Sequence, residues 1–246
     1  GQPAEALNLI AGAMRAKAPS PQVLFNHGLV LSALNRNEEA VESFDRAIKL
    51  KSKFLEAHNN RGVVLAALGR NEEAVESYRK ALAIKPNYPD ALSNLGNALM
   101  QLGRHEEALA AYDRALVVQP TYVDALYNRA VTLRELKRYD EALDYYDRAI
   151  AMRPDLAEAH CNRGVSLHDM KRYEEALASY TRAIALRPTY VEALYNTGMT
   201  LENLKRHEEA LEFYDRALAL RPNLGEAWSN RGNSLQELKR IDEALD

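Results

Sequence analysis

A single cysteine, Cys161, stands in 246 residues, so no internal disulfide framework is available, and the lone thiol fits a reducing, cytoplasmic compartment. Positive charge is not in excess: 32 Lys+Arg against 35 Asp+Glu leave a net charge of −3. Nucleic-acid binders carry a basic surplus, so nucleic acid is not an expected partner. No apolar run approaches the ~20 residues of a membrane span, and no membrane partner is expected. Strand signals are missing too, with no alternating Val/Ile/Thr run and no Asn-Gly hairpin. What is abundant is apolar material, at 47% against 27% charged, too much for a disordered tail and enough for a continuous core.

The chain repeats itself every thirty-four residues. Proline returns at Pro86, Pro120, Pro154, Pro188 and Pro222, and asparagine at Asn26, Asn60, Asn94, Asn128, Asn162, Asn196 and Asn230. Alanine returns at Ala40, Ala74, Ala108, Ala142, Ala176, Ala210 and Ala244. Counted in this register, full repeats run 21–54, 55–88, 89–122, 123–156, 157–190 and 191–224. Residues 1–20 read as the second half of an earlier unit and 225–246 as the first two-thirds of another, so residues 1–246 are expected to be one array cut from a longer one.

Each unit reads as two helices. In 123–156 the first carries Ala125, Leu126, Ala130, Leu133 and Leu136 at the i, i+3/i+4 spacing of a buried stripe. The second carries Ala142, Leu143, Tyr146, Ala149, Ile150 and Met152, and Pro154 closes the unit because proline cannot continue a helix. The fold class is therefore all-α. Gly28, Gly62, Gly96, Gly164, Gly198 and Gly232 take the eighth place of a unit, with Ala130 once. Mid-helix glycine costs about 1 kcal/mol relative to alanine. Close approach of the partner helix, opposite the alanine at the twentieth place, is the expected reason. Phe44, Tyr78, Tyr112, Tyr146, Tyr180 and Tyr214 supply the large members of the packing. A helix pair cannot bury such faces alone, so it must stack on its neighbours.

Nothing in the pattern reads as catalytic apparatus. Lys137-Arg138, Lys171-Arg172, Lys205-Arg206 and Lys239-Arg240 close first helices, and Glu72-Glu73, Glu106-Glu107, Glu174-Glu175 and Glu208-Glu209 open second helices, each favoured by the helix dipole. Glu42/Arg46, Glu76/Lys80, Asp144/Arg148 and Glu212/Arg216 are four apart with the acid first, which suits helix-surface ion pairs. Acid pairs recurring on exposed helix starts lack the shared pocket of a general acid/base couple. Cys161 and His168 are seven apart and His160 adjoins them, but no further ligand has metal-site spacing. A thiol and an imidazole lining a groove are expected there. The glycines serve packing and turns, leaving no phosphate-cradling loop. No metal, cofactor or catalytic residue is expected.

The asparagines are the best functional clue. Asparagine is a mediocre helix former, so seven in the middle of first helices ask for a cause. Its amide matches the N–H and C=O of a peptide bond. First helices about 10 Å apart would meet an extended chain, which advances ~3.3 Å per residue, at about every third residue. A structural role bridging neighbouring helices is the competing reading. One turn earlier stand Glu56, Asp90, Asp124, Glu158, Glu192 and Glu226, and just before the ladder the residues vary: Phe25, Asn59, Ser93, Tyr127, Cys161, Tyr195 and Ser229. This predicts an acidic groove with aromatic islands at Tyr127 and Tyr195, suited to an extended peptide that is neutral to basic.

With Leu126, Ala130, Leu133, Ala142, Tyr146, Ala149 and Pro154 in one unit and the same pattern repeated along the chain, the sequence resembles the tetratricopeptide repeat (TPR) family. Only Trp228 fills that family's tryptophan place, the others being Leu24, His58, Leu92, Leu126, His160 and Leu194, and Arg61, Arg129, Arg163 and Arg231 stand where leucine is usual. The resemblance implies a right-handed superhelical solenoid of antiparallel helix pairs whose first helices line a concave, peptide-binding groove, a scaffold for protein–protein interaction. A ladder-bearing array is also similar to the TPR arm that recruits substrates to O-linked N-acetylglucosamine transferases, which would place a catalytic domain outside these residues. A carboxylate-holding adaptor is disfavoured, because its groove lysines and arginines are acids here. A self-assembling solenoid is the remaining alternative: the last first helix would expose Trp228, Leu235 and Leu238, and residues 1–17 would present an uncapped helix, giving end-to-end association.

Overall fold

The computed structural model describes residues 19–240. The helices expected in residues 1–17 and after Arg240 lie outside them. The described residues contain thirteen α-helices and no strand. First helices are α1 (Pro21–Ala33), α3 (Leu55–Ala67), α5 (Pro89–Gln101), α7 (Val123–Glu135), α9 (Ala157–Asp169), α11 (Val191–Asn203) and α13 (Gly225–Glu237). Second helices are α2 (Asn37–Leu50), α4 (Asn71–Ile84), α6 (His105–Val118), α8 (Tyr139–Met152), α10 (Tyr173–Leu186) and α12 (His207–Leu220). The fold is an all-α helical repeat array, and its contacts fall into two compact units, Gly1–Asn128 and Arg129–Asp246.

The turn inside each hairpin explains a polar dipeptide. After α1 the chain passes through Asn35 at φ 57°, and after α3 and α5 through Gly69 at 74° and Gly103 at 71°. In the second unit Lys137, Lys171, Lys205 and Lys239 hold the same left-handed place at φ 58–62°. The amide of the following residue bonds back five residues, as in Arg172 N–H to Leu167 C=O at 2.8 Å, and that of Lys171 to His168 C=O at 2.8 Å, which satisfies the last carbonyls of the first helix. These lysines therefore stand where glycine is the cheapest residue. Lys171→Gly is expected to raise the free energy of unfolding by about 0.5–1 kcal/mol, read by urea denaturation; a loss of stability would contradict this account of the turn.

The next residue, an arginine, opens the second helix. Arg36, Arg70, Arg104, Arg138, Arg172 and Arg206 each meet the glutamate three residues on with both oxygens engaged, at 2.6–2.8 Å. The helix-end charges are thus matched to each other in addition to the dipole. Of the i, i+4 pairs expected on second helices, Glu76–Lys80 closes at 2.7 Å, whereas Arg148 and Arg216 lie over the rings of Tyr145 and Phe213.

Each hairpin closes on a glycine and a ring. A Cβ placed on Gly28 would sit 2.6 Å from the Phe44 ring, and on Gly62, Gly96, Gly164 and Gly198 it would lie 2.4–2.5 Å from Tyr78, Tyr112, Tyr180 and Tyr214. The partner of the glycine is the aromatic residue sixteen places on, not the alanine at the twentieth place. Those rings and alanines are wholly buried, so the ring fills the space that a missing Cβ leaves. Within each unit, successive first helices touch (α1 with α3, α3 with α5; α9 with α11, α11 with α13), while successive second helices do not among the described residues. First helices therefore line the inner side of each unit.

Candidate functional site

The inner side of the unit Gly1–Asn128 carries Asn26, Asn60 and Asn94 on α1, α3 and α5. Asn26 is exposed and the other two are half-buried. Their contacts are local: Asn26 Oδ1 accepts from Gln22 Nε2 at 3.1 Å, and Asn60 Nδ2 donates to Glu56 C=O at 2.8 Å. Asn94 makes no side-chain hydrogen bond among the described residues. Three residues after each asparagine come Leu29, Val63 and Asn97, and Leu29 and Val63 are 38% and 42% exposed. On the inner side of this unit the amides are open to solvent, fully at Asn26 and in part at Asn60 and Asn94, beside the exposed Leu29 and Val63.

The unit Arg129–Asp246 uses the same row differently. Asn162 Oδ1 accepts from Arg134 Nη1 at 2.9 Å, and Asn230 Nδ2 donates to the Tyr195 hydroxyl at 3.1 Å. Asn196 is half-buried on α11. The amides of Asn162 and Asn230 each reach to the preceding first helix. A carboxamide offers two N–H groups and two lone pairs, so one such contact leaves capacity for another partner. Further along the same faces lie Arg134, His168, Glu202 and Asn203, joined by His168–Asn203 at 3.2 Å and by Tyr214 Oη donating to Glu202 at 2.8 Å. The inner surface of this unit is charged and internally bonded. Asn128, the last residue of the first unit, is half-buried on α7.

Glu158, Glu192 and Asp90, among the acids one turn before the ladder, are matched by bonded partners. Glu158 is paired with Arg187 and Glu192 with Arg221 at 2.9 Å, while Asp90 accepts the Tyr122 hydroxyl at 2.9 Å. The hydrogen bond from Arg187 holds the Glu158 carboxyl below the usual carboxylate range. For Glu192, burial pulls upward but is outweighed by its backbone bond and Arg221, so its carboxyl is also lowered. Both stay ionised at neutral pH beside a cation, and the groove of this unit is less acidic than the count of carboxylates suggests. Glu56, Asp124 and Glu226 stand exposed at the starts of α3, α7 and α13.

The residues just before the ladder point inward. Phe25, Asn59, Ser93 and Cys161 are all buried, and only Ser229 is exposed. Tyr195 packs its ring 6.1 Å from that of Tyr214 and receives Asn230 on its hydroxyl, so it is a packed residue and not an open island; Tyr127 is half-buried. The Cys161 thiol, expected to line a groove, is 3% exposed, and burial pushes its pKa up to about 11, which keeps it protonated and unreactive. His160 points to the edge of the repeat, bonding Pro154 C=O at 3.0 Å, as His58 bonds Ser52 C=O and Trp228 Nε1 bonds Pro222 C=O, both at 2.9 Å. A carbonyl only accepts, so Nε2 carries the proton in both histidines. Histidine thus replaces tryptophan by keeping one N–H and its target. No group of three or more His, Cys, Asp or Glu that could hold a metal ion occurs among the described residues, and no helix among them is long and apolar enough to cross a membrane.

The arginines in the leucine place make a strut that the pattern alone did not reveal. Arg61 Nε donates to Asp45 Oδ1 at 2.6 Å and its Nη1 to Ser77 Oγ at 2.7 Å, tying α2, α3 and α4. Arg163 repeats this with Asp147 and Ser179, both at 2.7 Å, and Arg231 bonds Asp215 at 2.6 Å. Arg129 lies 4.0 Å over the Tyr145 ring. Of the residues expected to be bare at the end of the array, Leu235 is 1% exposed and Leu238 half-buried, and Trp228 alone is exposed, at 48%. The rest of the end-to-end reading concerns residues outside those described.

Repeated helix hairpins with an inner face of first helices, and no strand among the described residues, define a helical-repeat scaffold for protein–protein interaction. The family model described as TPR repeat matches residues 28–69 and 64–103, and the one described as Tetratricopeptide repeat matches 93–157 and 161–224. The chain belongs to the tetratricopeptide repeat family. Among solved structures it is similar to YrrB, a TPR protein with an unusual peptide-binding site, at 26% identity over 76% of this chain and 96% of that one, with a TM-score of 0.62. PilW, a type IV pilus biogenesis factor, shares the fold at 22% identity, 85% and 97% coverage and a TM-score of 0.77. MamA of Desulfovibrio magneticus RS-1 does so at 22% identity, 69% and 96% coverage and 0.64. A comparison with curated protein sequences gives no significant match.

Proposed function

We propose that the chain binds an extended, neutral-to-basic peptide segment of a partner protein along its first helices, with Asn26, Asn60 and Asn94 gripping the main chain and the rest of the ladder adding contacts. The observation that carries this reading is the amide row of the first unit, which is open to solvent on the inner side beside the exposed Leu29 and Val63. An amide that bonds a peptide group reads the backbone, and the aliphatic residue one turn on meets whatever side chain lies beside it. Likeness to YrrB, which has a peptide-binding site, points the same way. Glu56 keeps an unmatched negative charge at the start of α3, which favours neutral or basic segments over acidic ones. At about 0.5–1.5 kcal/mol for each net hydrogen bond, less the cost of ordering the peptide, a few such contacts suit micromolar affinity.

Selection of dodecamer peptides against the chain, followed by fluorescence anisotropy with labelled copies, tests the reading. Asn60→Ala/Asn94→Ala is expected to weaken binding about tenfold or more, as two net hydrogen bonds dictate, while leaving the melting curve in place. Unchanged affinity in the double variant would remove the ladder from the mechanism.

A further inference from the structure

A cavity of about 200 Å³ opens between α3 and α5. Four carboxamides line it: Asn71, Asn94, Asn97 and Gln101. Val63, Ala66, Ala98 and the Tyr78 side chain complete the wall, and no charged side chain contributes. Four other cavities along the described residues each include an arginine or a lysine. The amides are available: Asn97 Oδ1 accepts the Tyr112 hydroxyl at 2.7 Å, which leaves its Nδ2 hydrogens, and Asn71, Asn94 and Gln101 make no side-chain hydrogen bond among the described residues.

This wall selects by chemistry. An entering carboxylate or ammonium would shed water without meeting a counter-charge. A purely aliphatic side chain would cover the amides without bonding them, at the cost of unsatisfied donors and acceptors. A primary amide is self-complementary with the wall, since each carboxamide both donates and accepts. Glutamine adds two methylenes that match the aliphatic part. We propose that this cavity is a subsite for the glutamine side chain of an extended peptide, a specificity element that rests on the peptide-binding reading and refines it.

The probe is a labelled dodecamer recovered by display against the full chain, synthesised with Gln, Glu, Leu or Lys at one position. Recovered sequences share a glutamine, and the isosteric change to glutamate weakens binding at least about tenfold. Leucine and lysine also bind more weakly. The Gln/Glu ratio shrinks in Asn94→Ala and in Gln101→Ala, and the peptide-side series stands even if one of these variants folds poorly. Equal affinity for Gln and Glu overturns the proposal, as does tighter binding of the leucine or lysine peptide. Failure to recover any peptide overturns the peptide-binding reading itself, which separates the two failures.

Discussion

Tyr180→Ala is expected to lower the free energy of unfolding by about 3–5 kcal/mol. The ring is 1% exposed and fills the gap opposite Gly164, whose Cβ would lie 2.5 Å from it. Removing it deletes apolar area and leaves a space the neighbours cannot close, since Leu143, Leu167 and Ala183 around it are themselves fixed by other contacts. The glycine then has no compensation: its conformational cost stays and its packing gain is lost. Because each repeat leans only on its neighbours, the loss should be uneven. Amide hydrogen exchange is expected to accelerate most in α9 and α10 and least in α1 and α2, and uniform acceleration would contradict the local account. Tyr180→Phe is the control, because the hydroxyl contributes little of the buried area, and it should cost less than half as much.

The period, the helix pairs and the all-α class were legible because proline, alanine and asparagine return every thirty-four residues, and helix packing tolerates no drift in such positions. The glycine–aromatic closure was half legible. The residues stood out, but which partner met the glycine depends on the tilt between two helices, and no periodicity encodes that tilt. The Arg–Asp strut was present in the sequence and is visible once the geometry is known. Arg61, Arg163 and Arg231 follow Asp45, Asp147 and Asp215 by sixteen residues, whereas Leu95 follows Arg79 and Thr197 follows Thr181. That spacing joins two helices, so no one-helix periodicity displays it. The orientation of the residue before each asparagine was not legible in the pattern, for a simpler reason. A step of one residue turns a helix by about 100°, so Phe25 packs on Phe44 and Phe54 and Tyr195 on Tyr214, and the variation at this place records different packing partners as well as different surface. The useful neighbour is three residues on, at Leu29 and Val63, where the same face returns.

Gly96→Val is the second large effect, about 3 kcal/mol of destabilisation. A Cβ at this place already falls 2.4 Å from Tyr112 Cε1, with Cζ at 2.7 Å and Cδ1 at 2.8 Å. The ring is wholly buried and its hydroxyl is tied to Asn97 at 2.7 Å, so it cannot swing away without breaking that bond or opening the hairpin. Valine adds two methyl groups and a stiff χ1, which drive the strain beyond what one Cβ demands. Alanine at the equivalent place, Ala130 opposite Tyr146, is buried without exposure of either residue, which marks a single methyl as tolerable in that repeat. Gly232 holds the same repeat position on α13 with nothing within 4 Å of its Cβ direction. There Gly232→Ala is expected to stabilise by about 0.5–1 kcal/mol, through helix propensity alone. Opposite signs for Gly96→Val and Gly232→Ala, read in paired urea titrations, would trace the cost to the ring. Similar losses at both places would instead assign the glycines to backbone conformation and sink the closure argument.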